Sequence, residues 1–330
     1  MQRVRLKDII EYIALITAGQ ILRLFPLRTV QRLGAWCGSV AFHIVPIRRR
    51  VALENLQKAF PEKTHSEVWR IARQVYKNFG IVLFEVLWFP KIKPEDLQKL
   101  VHVDNLQLME KKLSEQKGLI MLSGHFGNWE LLALAVGYLS GHPLSVIVQE
   151  QRNPLVNLLI NRYRCRFGNH LINLGRAAKN TIAVLRKGGV VAMLADQSGP
   201  EDGLYVEFFG RNVATHDGPA RFSLKTGAPL LMGVAIRQSD GTYHMHLEEV
   251  EQKDLPEDAN EKVEELTRRH VAILERYIRA YPDHWLWLHR RWKHEAAVKK
   301  GDPSVKEVLP IRQLKRGTPG AMQRTQKSKL

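Results

Sequence analysis

The sequence predicts an α/β fold, an αβα sandwich around a mostly parallel sheet, preceded by amphipathic, membrane-associated N-terminal helices. Three observations predict it. Short all-apolar runs recur after residue 101, segments of helical periodicity fill the gaps between them, and the first fifty residues are apolar with basic punctuation. A strand covered by helices on both faces reads as a continuous apolar run, which is why such runs alternating with helices imply a buried parallel sheet.

The elements follow in chain order. Tyr12 to Leu22 and Leu33 to Ile47 are uncharged but bounded by Glu11, Arg23, Arg32 and Arg48. Each is shorter than the roughly 20 helical residues needed to cross a bilayer. Arg23, Arg28 and Arg32 recur at helical spacing and are expected to snorkel to headgroups, with Leu22, Leu24, Phe25 and Leu27 in the acyl region. Arg48, Arg49 and Arg50 then face an anionic membrane surface. The rival is a pair of helices packed on a soluble core. Ser66 to Leu87 is one long amphipathic helix, on the spacing of Val68, Ile71, Val75, Phe79, Val82 and Leu83. Strands are expected over 118–122, 144–148, 190–194, 229–236 and 243–247. Helices are expected over 129–138, 153–166, 176–186 and 260–281. The resulting organisation is an N-terminal membrane-associating segment over 1–50, a catalytic domain over 51–298 and a basic, disordered tail over 299–330.

Charge and composition exclude several classes. Of 330 residues, 50 are Lys or Arg and 33 Asp or Glu, a net charge of +17. Residues 1–50 and 299–330 each carry nine basic and two acidic residues, leaving only +3 for the body. A nucleic-acid-binding protein is the reading a pI near 9.9 invites, but the excess sits at the ends and no binding signature accompanies it, so no nucleic acid partner is expected. Two cysteines, Cys37 and Cys165, make neither a disulfide framework nor a Cys-rich zinc site. No Gly-x-Ser-x-Gly elbow, P-loop, Gly-x-Gly-x-x-Gly or His-Glu-x-x-His occurs. His244-x-His246 has the spacing of two ligands on one face of a strand, but that pair alone is a weak signal, and no metal is expected.

What remains is Ser123-Gly124-His125-Phe126-Gly127-Asn128-Trp129-Glu130, which follows an apolar strand and opens a helix. The carboxyl ends of parallel strands are where such folds place their sites. A helix starting just after His125 lets Glu130 reach back and hold the imidazole, which then takes a proton from an attacking hydroxyl near neutral pH. The helix N-terminus and the loop N–H groups are expected to stabilise a developing oxyanion. As a spacing alone, His-x4-Glu is weak.

In its wider setting the segment resembles the signature of the bacterial lipid A late acyltransferases, the lauroyl/myristoyl group within the glycerolipid-type acyltransferase superfamily and its His-x4-Asp/Glu motif. Further blocks match in order: Ala195-Asp196-Gln197, Phe208-Phe209-Gly210, Gly218-Pro219-Ala220, Thr226-Gly227-Ala228, and the closing Trp285-Leu286-Trp287-Leu288-His289-Arg290-Arg291-Trp292-Lys293. The resemblance covers nearly everything but the tail. It implies an O-acyltransferase at the cytoplasmic face of the bacterial inner membrane, moving a fatty acyl chain from acidic acyl carrier protein to a hydroxyl of a Kdo-bearing lipid A precursor. His125 would be general base and Glu130 its orienting partner, with direct attack on the thioester and no metal or redox cofactor. The strand ending at Gln197 also resembles enzymes acting on phosphatidylinositol mannosides, so another glycolipid acceptor, with acyl-CoA as donor, is the alternative. A non-catalytic lipid-binding scaffold is the more distant one.

Other residues have two readings each. Asn128 either shapes an oxyanion site or caps its helix. Trp129 points into the acyl channel or the core. Arg164, Arg166 and Arg176 bind acceptor phosphates or donor phosphopantetheine, or form a solvated face. Asp196 and Gln197, at the end of a second strand, should approach His125 from the next loop. Glu207 is a polar contact or plain surface. His289, Arg290, Arg291 and Lys293 form a basic cluster for carrier protein or lipid phosphate, or merely balance a helix C-terminus.

Overall fold

The computed structural model describes residues 4–45 and 47–296; the tail expected from residue 299 lies outside the described residues. Four helices come first: α1 (Leu6–Arg23), α2 (Leu27–Ile44), α3 (Arg49–Ala59) and α4 (His65–Trp88), then α5 (Pro94–Leu100). Thr64 starts α4 with a reciprocal capping box to Glu67. The α/β part runs β1 (Val101–Asp104), α6 (Leu106–Leu113), β2 (Leu119–Ser123), α7 (Trp129–Leu139), β3 (Leu144–Val148), α8 (Pro154–Arg164), β4 (His170–Asn173), α9 (Ala177–Arg186) and β5 (Val190–Leu194). A hairpin, β6 (Leu204–Phe208) and β7 (Arg211–Thr215), precedes α10 (Gly218–Thr226), β8 (Leu230–Arg237), β9 (Tyr243–Val250) and α11 (Ala259–Ala280).

Seven strands form one sheet in the order β1-β9-β8-β2-β5-β3-β4. Five of them, β4 through β8 in that row, run parallel; β9 pairs antiparallel to β8, and β1 pairs parallel to β9. Alternate residues of β8 show why both faces need helices. Leu230, Met232, Val234 and Ile236 pack with α11, whereas Leu231 and Ala235 pack on the opposite side with Leu97 of α5 and Leu131 of α7. The predicted αβα sandwich is therefore observed.

The N-terminal helices combine both readings of that segment. α2 lies so close on α4 that a Cβ on Gly38 would come 2.1 Å from the Tyr76 carbonyl oxygen, and one on Gly80 2.2 Å from that of Gly34. Val30 and Phe42 are buried in this contact. Outward, however, Leu6, Ile10, Ile13, Leu24, Trp36 and Ile44 are all more than half exposed. Two expectations need correction. Leu22 is buried against the body, and Arg23 donates inward to the Leu87 carbonyl at 3.2 Å and the Tyr163 hydroxyl at 3.4 Å rather than snorkelling. Arg48 donates to the Leu288 carbonyl, Arg49 to that of Phe42 and Arg50 to Glu54, while Arg48 and Arg50 remain exposed. Arg28 and Arg32 are exposed. Among the described residues no helix is long and apolar enough to cross a membrane.

Candidate active site

β2 and β5 pair in parallel with Ser123 opposite Leu194, so the residues two places beyond each strand end emerge side by side. Those residues are His125 and Asp196. The Asp196 carboxylate accepts from the His125 backbone N–H at 2.7 Å and pairs with its Nδ1 at 2.9 Å. Trp285 Nε1 donates to the same carboxylate at 2.8 Å. A carboxylate only accepts, so Nδ1 carries the ring proton and Nε2 keeps its lone pair. The His125 side chain is 17% exposed against 1% for Asp196, which puts the reactive nitrogen near the surface and its partner inside.

The loop between them is sharply bent. Gly127 has φ of +55°, and a Cβ there would fall 1.8 Å from the Ala235 carbonyl oxygen, so only glycine fits. Its N–H donates to the His284 carbonyl, while that of Phe126 donates to Gly124. With the His125 N–H on Asp196, these three loop donors are occupied. These three are therefore not available to an oxyanion, whereas the start of α7 is not engaged in this way.

Burial disfavours a charged imidazole, but the Asp196 carboxylate beside it outweighs this and holds the His125 pKa above its ordinary value. For Asp196, burial works toward a raised pKa, yet the His125 charge and hydrogen bonds, with that of Trp285, hold it well below the usual carboxylate range. His289 lies with its ring 4.8 Å from that of His125, and burial together with that neighbouring charge pushes it down to about 4. Trp129 makes an edge-on contact with the other side of His125, at 5.0 Å between centroids.

Glu130 does not hold the imidazole. The helix begins at Trp129 rather than just after His125, and Arg164 of α8 takes the Glu130 carboxylate in a bidentate pair at 2.5 and 2.9 Å. Glu130 acts on His125 only through its charge, which also favours the imidazolium. Asn128 is a cap: its Oδ1 accepts from the Leu131 N–H at 2.9 Å and its Nδ2 donates to buried Glu85 at 2.7 Å. Fully buried and doubly engaged, it has nothing to offer a substrate. Arg164 is likewise engaged with Glu130. Arg166 donates to the Ile92 carbonyl at 2.9 Å, and Arg176 is exposed at the far edge strand β4. Gln197 reaches His289, Nε2 to Nε2, at 3.4 Å. Glu207 is exposed.

The expected basic cluster divides. His289 faces His125. Arg291 is buried, donating to the Ala214 carbonyl and Thr215 Oγ1, each at 2.7 Å, so it buttresses the hairpin rather than meeting a partner. Only Arg290 and Lys293 are exposed, and they lie beyond any helix. Sequence reasoning missed Trp285 as a carboxylate donor and His289 as a second imidazole; the dense Trp-x-Trp-x-His segment was the available signal.

Between α4 and this closing segment lies a small recess whose wall carries Val75, Phe79, Val82, Trp129 and Leu286 together with polar Asn78, Asp283 and His284. Trp129 therefore borders both the recess and His125. The site thus joins a hydrogen-bonded His–Asp pair to an Nε2 that has no hydrogen-bond partner among the described residues.

Comparison with known proteins places the chain among acyltransferases of lipid A biosynthesis. The family described as bacterial lipid A biosynthesis acyltransferase matches residues 2–294. The lipid A biosynthesis palmitoleoyltransferase of Escherichia coli (strain K12) is 25% identical over 266 residues, 79% of this chain and 84% of that protein. The lauroyltransferase of the same strain is 25% identical over 274 residues, 81% and 86% respectively. The phosphatidylinositol mannoside acyltransferase of Mycobacterium tuberculosis (strain ATCC 25618 / H37Rv) is 25% identical over 161 residues, 47% of this chain and 51% of that protein.

Proposed function

The chain belongs to the bacterial lipid A biosynthesis acyltransferase family, and we propose that it moves a fatty acyl chain from acyl carrier protein to a hydroxyl of a Kdo-bearing lipid A precursor. The observation that carries this reading is the His125 Nδ1 bond to Asp196, which leaves Nε2 basic. The acceptor hydroxyl gives its proton to Nε2 as its oxygen attacks the thioester carbonyl carbon. The resulting oxyanion lies toward the N-terminus of α7, whose dipole favours negative charge. Collapse breaks the C–S bond, and the departing thiolate takes the proton back from the imidazolium. Asp196, fixed by Trp285, holds the ring in one tautomer and stabilises its cation. No acyl-enzyme and no metal or redox cofactor is required, because the donor is already activated.

The exposed apolar side chains of α1 and α2, with exposed Arg28 and Arg32, suit a surface resting on the anionic cytoplasmic face of the inner membrane. Exposed Arg290 and Lys293, close in sequence to His289, suit an acidic carrier protein. The mycobacterial relative favours a second reading, in which the acceptor is a phosphatidylinositol mannoside; acyl-CoA is the alternative donor to test with it. Incubating the purified enzyme with each donor and each acceptor, and reading products by mass, decides between them. Acyl transfer from carrier protein to the Kdo-bearing acceptor is expected; transfer only to the mannoside would replace the first reading with the second, and transfer to neither would end both.

A further inference from the structure

Away from the catalytic pair, four side chains of metal-ligand type meet on one face of the sheet. Strands β1 and β9 pair in parallel with His102 opposite His244 and Asp104 opposite His246. Residues two apart on a strand share a face, so all four project from the same side, at the corners of a small rectangle. Ligand atoms of Asp104, His244 and His246 all lie within 4.8 Å of one another. Asp104 gathers the group: its Oδ1 is 3.0 Å from His102 Nε2, and its Oδ2 is 2.8 Å from His246 Nδ1. The His102 and His244 rings lie 5.1 Å apart, and Tyr277 of α11 stacks on His246 at 6.4 Å. His244 is exposed and its ring makes no hydrogen bond among the described residues. The third ligand for the His244-x-His246 pair comes from the neighbouring strand.

We propose that His102, Asp104, His244 and His246 form a binding site for one divalent transition metal of the zinc class, bridging β1 to β9. Three imidazoles and one carboxylate suit a borderline cation that accepts tetrahedral N/O coordination, whereas magnesium and calcium demand oxygen ligands. Zinc bonds of about 2.0–2.2 Å need these ligand atoms to draw closer than they stand, and the exposure of His102 and His244 allows those rings to turn inward. β8 separates β9 from β2, so the site is distinct from the His125–Asp196 pair. Because β1 is an edge strand, a bound ion would fasten it to the sheet and stabilise the protein.

The full chain, stripped with chelator and dialysed against zinc in excess magnesium, tests this by elemental analysis. Wild type should retain one more zinc per chain than His244→Ala/His246→Ala, and zinc should slow amide exchange over Val101–Asp104 only in wild type. Asp104→Asn alone, a smaller change, should weaken that zinc by at least about tenfold. Equal zinc in wild type and both variants, or displacement by magnesium, would overturn the proposal.

Discussion

At the scale of the residue, the partner of His125 is decided by strand register rather than by sequence spacing. Glu130 is five residues away yet turned to Arg164, while Asp196, 71 positions on, is delivered by the neighbouring strand end. The sequence made both visible: β2 and β5 end two residues before His125 and Asp196, and Asp196 was expected to approach. It did not show which acid holds the ring, because that depends on where α7 starts. The pair has a pH signature. In the proposed mechanism His125 works neutral, and its pKa is raised, so kcat/KM should fall as pH drops through a midpoint above 6.5. Asp196→Asn removes the charge that outweighs burial; its remaining activity should show that midpoint below 6.5, measured as kcat/KM against pH. An unmoved midpoint would mean that another carboxylate governs the imidazole.

Among elements, the buried strands and long amphipathic helices were the legible ones. β3 was expected over 144–148 and is observed as Leu144–Val148, and α4 was expected over 66–87 and is observed as His65–Trp88. β1 and β4 were missed because Val101–Asp104 and His170–Asn173 are short edge strands with half their residues polar, so no apolar run marks them. The β6–β7 hairpin was missed too. Its two turn residues, Phe209 and Gly210, both have positive φ, and a phenylalanine is not the residue that usually announces such a turn. Phe209 is held there by the Glu275 carboxylate on its N–H at 2.7 Å and by Arg279 over its ring. The Glu130–Arg164 pair joins α7 to α8, and so sets the angle at which α7 leaves the site. Replacing either residue with Ala leaves a largely buried charge alone, whereas replacing both removes the pair. A double-mutant cycle by chemical denaturation should therefore give a coupling of about 1–3 kcal/mol, with the double variant more stable than the sum of the singles predicts. Additive losses would show that the two helices do not depend on the pair.

For the whole molecule, the exposed apolar face of α1 and α2 is joined to the site through α4. α2 packs on α4, and α4 supplies Val75, Phe79 and Val82 to the recess bordered by Trp129. The sequence showed the apolar, basic character of the N-terminus but not its packing, because Gly34-x-x-x-Gly38 marks a close helix contact without naming α4 as the partner. Changing Ile10, Ile13 and Trp36 together to polar residues should weaken binding to anionic vesicles by at least about tenfold while the melting temperature holds, as read by co-sedimentation. Undiminished binding would move the membrane face elsewhere. Acid should also destabilise the fold. Burial holds His270 and His289 near 4 in the folded protein against about 6.5 unfolded, so between those values the unfolded chain binds more protons. The denaturation midpoint should accordingly fall as pH drops from about 6.5 toward 4. The most direct measurement is the acyl-transfer rate of His125→Ala beside wild type, on matched membranes and donor. A loss of about 10²–10⁴-fold with unchanged melting is the predicted result; a rate within a few-fold of wild type would contradict proton removal by His125.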